Sequence, residues 1–111
     1  MNTKRLAVCS ICAALSLAPA FSWARSQGEQ ICDILDGLAE TAMLSRQAGM
    51  PMIEAYRNTD KLGPDASKPA KIIIEAAYRV PRREGQRDQA MAVSDFRTEM
   101  FRGCLASQNG E

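Results

Sequence analysis

The chain has 111 residues, 46 % hydrophobic and 24 % charged, with 14 basic side chains against 13 acidic ones and no histidine. A length of this order supports one domain around one small core. The balanced charge argues against a nucleic-acid partner, and the absence of histidine removes the commonest general base and the commonest neutral metal ligand.

Residues 1–24 read as a cleaved export leader. Lys4 and Arg5 supply the positive start, Leu6 to Leu17 forms an apolar run, Pro19 breaks it, and Ser22 and Ala24 place small residues before a cut after Ala24. Ala20 offers a second cleavage position. A retained membrane anchor is the rival reading, but a spanning helix needs about 20 apolar residues and this run is shorter. Cys9 and Cys12 follow Val8 and Ile11, not the small residue that a lipid-modified cysteine requires. The leader predicts a periplasmic or secreted protein in an oxidising compartment, with no stable membrane anchor after cleavage. The expected domain is 25–111, which is 87 residues. Losing Lys4 and Arg5 leaves 12 basic against 13 acidic residues, a net charge of −1.

Helical periodicity dominates this domain. From Ile31 the apolar residues Ile31, Leu35, Leu38, Ala39, Ala42 and Met43 recur every three or four positions, with Asp33, Asp36, Glu40 and Gln47 on the opposite side. Gly49 ends this first helix, and Gly37 inside it leaves room for a close neighbour. Met50–Arg57 predicts a short second helix with Pro51 in its first turn. Asn58–Ala66, carrying Gly63-Pro64-Asp65, reads as a flexible turn region. Ser67 is expected to cap a third helix with Pro69 in its first turn, an apolar stripe of Ile72, Ile73, Ala76, Ala77 and Val80, and a Lys71–Glu75 pair outside. The Ile72-Ile73-Ile74 triplet also suits a strand, but no partner strand is visible. Arg82–Arg87 forms a charged connector. A fourth helix then runs to about Leu105, gathering Ala92, Val93, Phe96, Met100, Gly103 and Cys104 on one side.

Cys32 and Cys104 are the only cysteines beyond the leader, so an internal disulfide would have one possible pairing. Buried thiols or an intermolecular bridge are the alternatives. Both cysteines fall on apolar stripes, and antiparallel first and last helices would bring them together. The expected fold is all-α, a small three-to-four-helix bundle closed by one disulfide.

Chemistry-bearing residues are sparse. The row Asp33, Asp36, Glu40 offers oxygen ligands from one helix only, which cannot surround a cation, and a solvated acidic face explains it. Met43, Met50 and Met52 suit core filling better than Cu(I). Arg79, Arg82, Arg83 and Arg87 form a dense basic run beside Tyr78, interrupted by Glu84 and Asp88. It reads as a solvated connector or as a surface for an acidic partner, phosphate groups or anionic lipid heads. Arg46 projects onto the apolar side of the first helix, where a guanidinium must find acceptors, and is expected to act as a structural clamp. No catalytic constellation, resident metal or cofactor is predicted.

Cys32, Arg46-Gln47-Ala48-Gly49, Ala77-Tyr78-Arg79-Val80-Pro81, Phe96 and Cys104 together resemble a group of small exported helical proteins of Gram-negative bacteria. The resemblance implies an address and a fold, and carries no assigned activity. The functional expectation is a non-enzymatic protein acting through an unknown protein partner, as an inhibitor, immunity factor or accessory subunit. A periplasmic acid-stress chaperone is the alternative, and a small hydrolase the third.

Overall fold

The computed structural model describes residues 26–110; the expected leader lies outside them. In chain order the elements are α1 (Gln27–Gln47), α2 (Met52–Asn58), a 3-10 helix (Thr59–Leu62), α3 (Pro64–Ala77) and α4 (Gln86–Gln108). The all-α bundle read from periodicity is the fold, and Cys32 and Cys104 close it as an internal disulfide, 72 positions apart.

α1 begins four residues before its apolar repeat, because Ser26 caps it. The Ser26 Oγ accepts from the Glu29 amide at 3.1 Å, and Glu29 lies in the first turn, where a helix favours negative charge. The Ala48 and Gly49 amides donate to Leu44 and Arg46 carbonyls at the other end. Among the described residues an added Cβ at Gly37 would meet no neighbour within 4 Å, so the close approach expected there is not made.

The region expected to be flexible, Asn58–Ala66, is mostly helical. α2 starts after Pro51, whose extended backbone caps it from outside, and continues directly into the 3-10 helix. Gly63 alone breaks the run, at φ 89° and ψ 167°, a conformation that only glycine adopts readily. Pro64 then sits at the first helical position, where its fixed φ suits the helix. α3 therefore starts before Ser67, and Pro69 falls inside it, unable to donate to the Asp65 carbonyl.

Three consecutive isoleucines cannot share one helix face. Ala70, Ile73, Ile74 and Ala77 form the buried stripe, and Ile72 is 68 % exposed. The buried stripe is therefore turned from the expected one, with Ala70 and Ile74 on it in place of Ile72. Lys71 pairs with Asp60 of the 3-10 helix at 2.6 Å, not with Glu75.

α1 is the central element, packing most extensively on α4 and next on α3. α4 runs antiparallel to it: Cys104 meets Cys32 at one end, and the residues before α4 meet Gln47 at the other. α3 runs parallel to α1, and both finish at the Gln47 end, where the Arg46 side chain reaches Val80. With 14 residues against 21 at about 1.5 Å each, α3 falls short of the first two turns of α1. Ile31 and Ile34, 44 % and 64 % exposed, occupy those turns. The disulfide fastens the end that, among the described residues, no third helix reaches. The core joins Ala39, Ala42 and Met43 of α1 to Ala55, Ile73, Ile74, Ala77, Ala92 and Phe96. Gly103, placed on the core side by projection, is exposed, since it lies on the α4 stretch that α3 does not reach.

Candidate functional site

The two sequence tracts Arg46-Gln47-Ala48-Gly49 and Tyr78-Arg79-Val80-Pro81 come together at one end of the bundle. Gln47, projected onto the polar side of α1, is 3 % exposed. Its Nε2 donates to the Pro81 carbonyl at 3.1 Å and lies 3.4 Å from the Met43 sulfur, and its Oε1 accepts from the Arg83 amide at 2.7 Å. A buried carboxamide with donor and acceptor both used is a rigid joint. Sequence reasoning missed it because glutamine at that position continues the Asp36–Glu40 row and looks solvated.

Arg46 is half-buried beside this joint. Its Nε donates to the Val80 carbonyl at 2.9 Å, and its guanidinium lies 5.3 Å from the centre of the Tyr78 ring. Tyr78 donates its hydroxyl to the Met50 carbonyl at 2.6 Å. Burial holds the Tyr78 phenol above its ordinary range, partly opposed by the Arg46 charge. The connector from α3 to α4 is thus tied to the end of α1 by side chains of both tracts, although it has no regular structure.

The basic run divides on this frame. Arg82 donates Nε to the Gln47 carbonyl at 2.8 Å and so satisfies a carbonyl left open at the end of α1. Its guanidinium lies over Gly49 (φ 89°), where an added Cβ would come within 3.2 Å of it. Arg79, Arg83 and Arg87 are exposed. Among the described residues no carboxylate pairs with any of these three side chains. Arg83 takes part in the joint through its backbone alone, so its guanidinium is presented from a fixed main chain.

A second polar cluster crosses the α1–α4 interface. Arg97 forms a fork on Asp36, with Nε to Oδ1 at 3.0 Å and Nη2 to Oδ2 at 2.7 Å, and its Nη1 also donates to Glu40. The expected solvated acidic face is here an interface with α4. Sequence reasoning passed over Arg97, although its position one residue after the buried Phe96 put it at the edge of the apolar stripe. The hydrogen bonds from Arg97 hold the Asp36 carboxyl below its ordinary range, against the opposing effect of burial. A carboxylate made this acidic is a poor general acid or base near neutral pH. Among the described residues no group of three or more carboxylates, cysteines or histidines converges to hold a metal ion, and no helix is long and apolar enough to cross a membrane.

No family model, curated protein or solved structure matches this chain.

Proposed function

We propose that this is an exported, non-enzymatic protein that acts by binding an acidic surface on another protein through Arg79, Arg83 and Arg87. One observation carries the reading. The connector bearing Arg79 and Arg83 is fixed by Gln47, Arg46 and Arg82, and Arg87 follows it in the first turn of α4, while the three guanidinium groups remain exposed and without a carboxylate among the described residues. Side chains carried on an ordered main chain lose less freedom on binding than those of a mobile loop would, and the guanidinium fork matches carboxylates on a partner. Glu84 and Asp88 between them restrict the partner to one whose acidic groups are spaced, not continuous. Export rests on the leader-like pattern of residues 1–24, and the resemblance to small exported helical proteins is consistent with that address.

The test compares the bridged protein with a triple charge reversal, Arg79→Glu, Arg83→Glu and Arg87→Glu, in cross-linking of an extract from outside the cytoplasmic membrane. A stoichiometric partner held by the parent, released by salt and lost in the variant is the expected result. Equal capture by both proteins would refute the arginine surface. Intact mass of the exported protein should begin at Arg25, and recovery of the full chain from the cytoplasm would refute the address.

A further inference from the structure

Between α1, α2 and α3 lies a cavity of about 220 Å³. Ala42, Ala55 and Ala70 face it from the three helices, and each is buried. Methyl side chains at facing positions let helices approach, yet leave space that larger residues would fill. Leu38, Met50 and Ile74 complete the apolar wall. Leu62, 46 % exposed, marks the opening to solvent. Among the described residues no ionisable side chain lines the cavity.

Four of its lining residues have polar side chains, of which two are engaged internally. Thr41 donates its hydroxyl to the Gly37 carbonyl at 3.2 Å, and Thr59 donates to the Tyr56 carbonyl at 2.7 Å. Ser45 and Asn58 make no side-chain hydrogen bond among the described residues, and Asn58 is solvent-exposed. The site therefore combines apolar walls with two free, uncharged hydrogen-bonding groups, a pattern typical of small-ligand sites.

We propose that this cavity binds a neutral aliphatic molecule of about six carbons with one hydroxyl or carbonyl head, the chain against Leu38, Met50 and Ile74 and the head at Ser45 and Asn58. The size is adequate, since an engineered apolar cavity of about 150 Å³ in another protein takes benzene. A carboxylate at the half-buried Ser45 would be partly desolvated and would meet no counter-charge among the described lining residues, so the site favours the alcohol over the carboxylate of equal chain length. This site is separate from the arginine surface and does not depend on it.

The experiment follows backbone amide resonances of the bridged protein at pH 7 during titration with 1-hexanol and, separately, hexanoate. 1-Hexanol should move amides within 38–45, 55–59 and 70–74 saturably, with a Kd of about 0.1–1 mM. Hexanoate should bind at least about tenfold more weakly. Ala70→Leu fills the space and should weaken 1-hexanol at least about tenfold. Ser45→Leu, which fills it from the half-buried α1 side, replaces that variant if Ala70→Leu fails to fold. Absence of saturable shifts, equal affinity for hexanoate, or parent affinity in the filled variants would overturn the proposal.

Discussion

Replacing Gln47 with alanine tests whether the α1 end and the α3–α4 connector are joined as described. The substitution removes the bond to the Pro81 carbonyl and the bond from the Arg83 amide. Each contributes about 0.5–1.5 kcal/mol net, and the two released groups lie on exposed residues where water can replace the partner. The variant also loses one buried methylene, Cγ, at about 0.8 kcal/mol. The expected loss is about 2–4 kcal/mol, a large fraction of the total stability of a domain this size, and a Tm lower by about 10 °C or more. Urea denaturation should show a lower midpoint with an unchanged slope. Gln89→Ala is the control: it removes a bond to the Arg83 carbonyl, 2.8 Å long and exposed, and should cost below about 1 kcal/mol. Hydrogen exchange adds a local reading, since the Arg83 amide should be protected in the parent and unprotected in Gln47→Ala. A loss no larger than that of Gln89→Ala, or an unprotected Arg83 amide in the parent, would refute the joint.

Cys104→Ala opens a loop whose ends are 72 positions apart, and the chain-entropy estimate for that closure is about 4 kcal/mol. Thermal melting should fall accordingly, and exchange should rise first in residues 27–34 and 101–108, the stretch that α3 does not cover. Asp36→Asn should be less stable than the parent at pH 7 by about 0.5–1.5 kcal/mol, since the Asp36–Arg97–Glu40 cluster is partly exposed and screened. The folded-state pKa of Asp36 is lowered, so its contribution is present above the ordinary carboxylate range and is lost as pH falls through the folded value. Denaturation midpoints of variant and parent should therefore converge in acid, and a constant difference from pH 7 to pH 2 would contradict the Arg97 contact.

The class of fold, the order of the helices and the pairing of Cys32 with Cys104 were legible in the sequence, because each follows from local periodicity or from there being two candidate cysteines. Boundaries were legible only in part. Gly63 and Pro64 looked like a turn cluster, and their local chemistry did mark a break, but a single glycine sufficed for it and helical structure continued closely on both sides. Which face of α1 met which neighbour was decided by tertiary structure. The polarity pattern separated Ile31, Leu35 and Leu38 from Asp36, Glu40 and Gln47, and took the second group for the solvent side. α4 covers that side, so Asp36 and Glu40 hold Arg97 and Gln47 is buried against the connector. α3 is too short to cover the beginning of the first group, so Ile31 remains exposed, as does Ile34 on the same turns. A helix sequence records that its faces differ; the lengths and directions of its neighbours determine which of those faces water reaches.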